Sequence, residues 1–342
     1  VAITLAITLV LTAAAGCGSD AGGGVPSTTN AGGGVPPDRG TTAPAAAPSS
    51  AGSPATTAVP AVAGRLHGVG VTERTFVDDS RYRTLRTRIL YPSGAAPAPG
   101  SEAPVAVPDA PPADGSFPLV LFAHGYLLPA DGYDRMLATA AAHGYVVAVP
   151  DLPGTSGRGG TGNRSDIVNQ PADLSFVADR LIDLGASPSD DAPVPVIAHP
   201  DRLAVGGHSD GGLTATAFAY NPRYRDPRVV AAASFTGGTG LFAGRYDAAD
   251  PPPLLAVHGT ADTTNGFAQS EAALAQLAAP VEVLVAVEGG DHIGPYMFGT
   301  GRADLGDVLA GFFDSALEAD PGGEIRLRAV IDAADDLSLR PG

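Results

Sequence analysis

Three residue types set far apart in this chain could together perform acyl chemistry. Ser209 stands in Gly207-His208-Ser209-Asp210-Gly211, directly after the apolar run Leu203-Ala204-Val205 and ahead of a small-residue helical pattern. A Gly-x-Ser-x-Gly sequence between a strand and a helix has the features of a nucleophile elbow, a strained turn that lifts a serine hydroxyl clear of its sheet. The flanking glycines answer to the same turn, because a Cβ two positions either side would collide with the adjoining strand and helix. A serine hydroxyl is a weak nucleophile at neutral pH and needs a neighbouring base. Imidazole suits that task, provided a carboxylate holds its far nitrogen.

The partners follow from chain order. Asp262, in His258-Gly259-Thr260-Ala261-Asp262, and His292, in Gly289-Gly290-Asp291-His292, each fall just after a strand-like run. Of the seven histidines only His292 lies beyond Asp262. His208 is expected beneath the turn, His124 in a structural role, and His258 bonded to the loop bearing Asp262. His67, His143 and His199 are expected to be solvated. Asp262 is the candidate acid, with Asp247 or Asp250 as substitutes; Asp291 adjoins His292 and would face away from it. An oxyanion intermediate needs preset donors. The backbone amides of Asp210 and Tyr126 are the candidates, and the Tyr126 ring could also line the acyl pocket. The Asp210 carboxylate is expected in the first turn of the helix after the serine, where the helix dipole favours it.

The elements that must position these groups are legible as a rhythm. Residues 69–77 and 83–91 read as two antiparallel strands, followed by a long Pro/Ala-rich surface excursion at 92–116. Strands at 118–123, 145–149, 203–206, 229–233, 254–257 and 281–287 then alternate with helical patterns at 131–142, 171–184, 211–220, 267–279 and 303–318. Continuous apolar strands between amphipathic helices predict an α/β fold: a mostly parallel central sheet with helices on both faces. Ligands of such sheets bind beyond the carboxyl ends of the strands. The short interval between 233 and 254 leaves no room for a large cap domain. Gly237-Gly238-Thr239-Gly240 is expected at a pocket edge.

The chain has 342 residues, 44% of them hydrophobic, with a net charge of −16. That charge excludes a nucleic-acid partner, which demands a basic surface. All 20 basic residues are arginine, and there is no tryptophan. No HExxH, Cys/His cluster, Walker-type sequence or strand-linked GxGxxG is present, so no metal and no cofactor is expected. Residues 1–17 are apolar and end in Ala14-Ala15-Gly16-Cys17. They read as a lipoprotein-type signal segment, with Cys17 as the lipidation site. Two acyl chains there would anchor the protein to the outer face of the plasma membrane. Residues 18–64, almost wholly Gly, Ala, Pro, Ser and Thr with GGGVP at 22–26 and 32–36, read as a disordered tether. Residues 65–342 form the expected catalytic domain. Cys17 is the single cysteine, so the catalytic domain is expected to hold no disulfide.

The segments FAHGY (122–126), HGYVVAVP (143–150), GGHSDGG (206–212), HGTAD (258–262) and GGDH (289–292) resemble the α/β-hydrolase superfamily over about residues 69–316. The order Ser…Asp…His matches that fold. The pattern is similar to cutinase-like polyester hydrolases, dienelactone-hydrolase-like proteins and platelet-activating-factor acetylhydrolase-like lipases. The resemblance implies a serine hydrolase, and in the polyester hydrolases the aromatic corresponding to Tyr126 supplies an oxyanion amide. Asp210 stands where polyester hydrolases carry Met, and dienelactone hydrolases use a cysteine nucleophile where this chain has Ser209. The sequence is therefore read as an exported, cell-envelope serine hydrolase that cleaves carboxylic esters. Alternatives are an envelope acyltransferase using the same triad, or a non-catalytic binding lipoprotein on a hydrolase fold. The natural ester and the oligomeric state are left open.

Overall fold

A computed structural model describes residues 66–95, 103–186, 194–277 and 279–340. The expected signal segment, Cys17 and the tether at 18–64 lie outside the described residues.

Two long strands, β1 (Gly68–Asp78) and β2 (Arg83–Ser93), form an antiparallel hairpin in which Gly68 faces Ser93 and Asp78 faces Arg83. After them come β3 (Ala106–Pro108), β4 (Ser116–Phe117), β5 (Leu119–Ala123), α1 (Asp134–Ala142), β6 (Val146–Pro150) and α2 (Gln170–Ala186). The chain continues through β7 (Val196–Ile197), β8 (Leu203–His208), α3 (Asp210–Tyr220), β9 (Val229–Phe235), β10 (Leu254–Gly259) and α4 (Ala268–Leu277). It closes with β11 (Glu282–Val287), α5 (Asp304–Ala316), α6 (Pro321–Ala333) and β12 (Leu337–Arg340).

The main sheet runs β3-β1-β2-β6-β5-β8-β9-β10-β11-β12, and its six strands from β6 to β11 are parallel. Side chains alternate across it. Val120 and Phe122 of β5 face one core with α1, α5 and α6, whereas Leu119, Leu121 and Ala123 face the other with α2, α3 and α4. Burial on both faces explains why these strands read as unbroken apolar runs. The strand order reverses between β5 and β8, and loops leaving neighbouring strands diverge at such a switch point to open a crevice. Residues 236–253 contain no helix or strand, so this segment builds no cap domain.

Three parts of the architecture depart from the sequence reading. The stretch at 92–116 is no free excursion where it is described. β3 extends the sheet edge parallel to β1, Ser93 bridges Pro112, and the Tyr91 hydroxyl donates to the Ala110 carbonyl at 2.8 Å. A second, two-stranded sheet pairs β4 with β7. Strands of two or three residues are too short to carry a period. The chain also builds α6 and β12 beyond the last expected helix. Asp320 caps α6 by accepting from the Gly322 amide at 2.8 Å, with Pro321 opening the first turn. That Asp-Pro start signal is readable. β12 is a four-residue antiparallel edge strand with no such signal.

Candidate active site

The elbow is built as its glycines require. Ser209 has φ 57° and ψ −121° between β8 and α3, a conformation that costs about 1–3 kcal/mol in a non-glycine residue and persists only where its surroundings enforce it. The Ser209 N–H donates to the Phe235 carbonyl at 2.9 Å. A Cβ at 207 would lie 2.1 Å from the Gly211 carbonyl oxygen, and one at 211 would lie 2.0 Å from that of Ala123. Both glycines are therefore demanded by close approach of backbone to backbone.

Ser209, His292 and Asp262 form one hydrogen-bonded chain. The Ser209 hydroxyl donates to His292 Nε2 at 2.9 Å, and His292 Nδ1–H donates to Asp262 Oδ2 at 2.7 Å. That pattern requires the Nδ1–H tautomer of His292. Asp262 is buried, and a buried carboxylate needs its lone pairs filled. Its Oδ1 accepts from the amides of Thr264 at 2.8 Å and Asn265 at 2.9 Å. The loop carrying Asp262 can reach the loop carrying His292 because residue 259 lacks a side chain; a Cβ there would lie 2.2 Å from the Gly290 carbonyl oxygen.

The region expected to hold an oxyanion lies alongside. A Cβ placed on Gly125 would be 3.3 Å from Ser209 Cβ, so the loop after β5 runs against the serine. The amides of Gly125, Leu127 and Leu128 are bonded to Tyr133 Oη, the Thr155 carbonyl and the Gly125 carbonyl. Between them the Tyr126 amide has no acceptor among the described residues. Asp210 opens α3, where the first amides of a helix have no intrahelical partner.

Several neighbours were not foreseen. Arg164, in the loop after β6, donates through Nε and an Nη to both oxygens of the buried Asp210 carboxylate, at 2.7 and 2.6 Å. The same guanidinium stands 5.9 Å from the Tyr126 ring centre, and the Tyr126 hydroxyl donates to the Gly162 carbonyl at 2.7 Å. That loop is itself tied down. Asp166 accepts from Arg83 and from the Gly154 amide, and Gln170 joins Thr155 to Thr214 of α3. Thr236, which follows β9 with φ 46°, places Oγ1 3.3 Å from His292 Nδ1, while its carbonyl accepts from Asn265 at 2.7 Å. No motif marks Arg164 or Thr236; only the pairing of distant loops brings them to the site.

The remaining histidines sort by surroundings. His208 lies buried beneath the elbow, and burial, with His292 nearby, pushes its pKa down to about 3. His124 bonds the Gly125 carbonyl and the Leu152 amide, and burial lowers its pKa too. His258, likewise lowered by burial, donates to the Asn265 carbonyl within the loop of Asp262. His143 is not the solvated imidazole expected of it: it joins α1 to Asp307 of α5 at 2.7 Å. His67 packs edge-on against Phe117, with ring centres 5.3 Å apart. Of the other acids, Asp247 pairs with Arg245. Asp291 caps its own turn through the amides of Ile293 and Gly294. In the Gly237–Gly240 stretch, the Gly238 carbonyl accepts from Thr216 of α3 at 2.6 Å, which ties that loop to the helix behind the serine.

Fold and site together define an α/β-hydrolase architecture with a serine, an imidazole and a carboxylate joined at the carboxyl edge of its sheet. The family model for chlorophyllase matches residues 78–232, a stretch that contains Tyr126, Arg164, Ser209 and Asp210 but ends before Asp262 and His292. Chlorophyllase-2 of Arabidopsis thaliana is 28% identical over 132 residues. That match covers 39% of this chain and 37% of the plant protein, so the chain spans little more than a third of that relative's length. A solved structure of a ferulic acid esterase from Streptomyces cinnamoneus superposes with a TM-score of 0.61 at 22% identity, covering 83% of this chain and 98% of the other. The fold is the one the motifs resemble; the chlorophyllase family was not among the groups expected.

Proposed function

We propose that this chain is a serine hydrolase that cleaves carboxylic esters through an acyl-enzyme. The observation that carries the reading is the continuous bond chain from Ser209 Oγ through His292 to Asp262, at 2.9 and 2.7 Å, on a serine held at positive φ. Ser209 attacks the ester carbonyl while His292 Nε2 takes its proton. The tetrahedral oxyanion lies between the Tyr126 and Asp210 amides. His292 then returns the proton to the departing alcohol. Water, deprotonated by the same imidazole, releases the acid. Asp262 holds the tautomer and stabilises the imidazolium.

The matches named for an activity are to chlorophyllase and to a ferulic acid esterase. They support a carboxylic ester as the substrate class. The assay is a panel of p-nitrophenyl esters from acetyl to palmitoyl with ethyl ferulate added, run beside a fluorophosphonate probe. Turnover is expected, with the probe on Ser209 and no labelling of Ser209→Ala. A wild-type chain that neither labels nor turns over any ester would refute the reading. The protein is further read as exported and lipid-anchored through Cys17. Cell fractionation should find it with membranes and release it in Cys17→Ser; equal solubility of the two removes the anchor.

A further inference from the structure

Beneath the nucleophile, a second chain of bonds joins the two loops that flank it. The Gly125 N–H donates to Tyr133 Oη at 3.0 Å. The Tyr133 hydroxyl is 3.0 Å from His208 Nδ1 and donates to it. His208 Nε2–H donates to the His292 backbone carbonyl at 2.8 Å. Tyr133 and His208 are wholly buried. The rings pack as well as bond, with centre separations of 5.0 Å for Phe122–Tyr133, 5.5 Å for Tyr133–His208 and 5.1 Å for His208–His292.

We propose that Tyr133 and His208 are positioning residues, a buried strut that fixes the loop of Tyr126 against the loop of His292 on either side of Ser209. The proposal rests on the ester-hydrolase reading above. Oxyanion donors must stand about 2.7–3.1 Å from where the charge develops, and the base must reach the nucleophile in the same instant. Neither loop belongs to the sheet, and connecting loops are more mobile than the scaffold that carries them. Strand register therefore cannot set the distance between them. The strut does so by bonding backbone to backbone: the Gly125 amide at one end and the His292 carbonyl at the other. It touches no substrate atom.

The strut also works in only one protonation state. His208 must accept at Nδ1 and donate at Nε2, which only the neutral ring does. Its burial keeps it neutral, so when His292 takes the serine proton no second cation stands 5.1 Å away. The balance of bonds is complete, with each donor meeting one acceptor, and removal of the Tyr133 oxygen opens both links at once.

Tyr133→Phe is compared with Tyr91→Phe in the full chain. Tyr91 is an equally buried tyrosine whose single bond, to Ala110, lies at the far side of the sheet. In hydrogen–deuterium exchange, Tyr133→Phe should speed exchange in 124–128 and 290–294 together, and Tyr91→Phe in neither. With p-nitrophenyl butyrate, Tyr133→Phe should lose about 10- to 100-fold in kcat, the scale of a misplaced reacting group. KM should hold within about twofold, since ground-state contacts are untouched. Exchange that rises in one loop alone, or in neither, overturns the strut; so does a kcat equal to that of Tyr91→Phe. A wild-type chain without ester turnover overturns the hydrolase reading instead, and the paired exchange response then decides the strut by itself.

Discussion

Each side chain of the site depends on a small number of partners that can be removed one at a time. Asp262 accepts three hydrogen bonds, one from His292 and two from the amides of Thr264 and Asn265. Asn at 262 would keep the shape and could keep the backbone bonds through its carbonyl oxygen. It would then present an NH2 group to His292 Nδ1, which can no longer donate there. The imidazole would be held in the wrong tautomer, with its proton facing the serine. Asp262→Asn should therefore lower kcat by about 10⁴-fold, the loss seen when a triad carboxylate is so replaced in serine proteases, with little change in fold. Far-ultraviolet circular dichroism and ester turnover measured together check this. A tenfold loss or less would point to a different acid.

At the scale of elements, the loop between β6 and α2 does most to shape the site beyond the sheet. Arg83 of β2 and the Gly154 amide fix Asp166. Arg164 then reaches from this anchored loop to the first residue of α3 and to the ring of Tyr126. The pair it makes is asymmetric: Arg164 is 56% exposed at its side chain, while Asp210 is 4% exposed. Stripping one partner from a buried charge costs more than losing the pair altogether. Arg164→Ala should therefore unfold at a lower temperature than Arg164→Ala combined with Asp210→Ala. Thermal melts of the wild type and the two variants settle the order, and a double variant that melts below Arg164→Ala would show that the carboxylate needs no partner. Arg164 was invisible beforehand because its partners sit 38 and 46 positions away, in the loop after β5 and at the start of α3, which only the sheet order makes neighbours. α6 was missed although its Asp-Pro start is legible, and β12 because four residues carry too little pattern.

Across the whole molecule, three buried histidines couple stability to pH. His208, His124 and His258 all have pKa values lowered by burial from the ordinary 6.5, His208 to about 3. Below pH 6.5 the unfolded chain binds protons at these rings that the folded chain refuses. The unfolded state thus binds more protons, and stability falls as pH falls. For His208 the slope is about 1.4 kcal/mol per pH unit between its unfolded and folded values. The other two act in the same direction. Depressed carboxylates such as Asp226, where burial raises the pKa but the bonds from Arg228 and Ser175 outweigh it, lose their contribution only at lower pH. Melting temperature should decline from pH 7 to pH 5; a flat profile would mean that these rings are protonated in the fold.

Local rules were enough to read six parallel strands, the helices between them and the strained serine, because each leaves a short-range mark: an apolar run, a 3.6-residue stripe, a glycine on either side of a turn. They were also enough to nominate Asp262 and His292, since each follows a strand and chain order admits few others. What only the tertiary structure decided is which loops meet. The crossing of the chain at β5 and β8 brings Gly125 against Ser209, links Tyr133 through His208 to the His292 carbonyl, and sets Thr236 beside His292 and Arg164 on Asp210. The bonds from Tyr133 to His208, His208 to His292, Thr236 to His292 and Arg164 to Asp210 span 46 to 84 positions, and their energies arise from burial and bond geometry that exist only once the sheet has assembled.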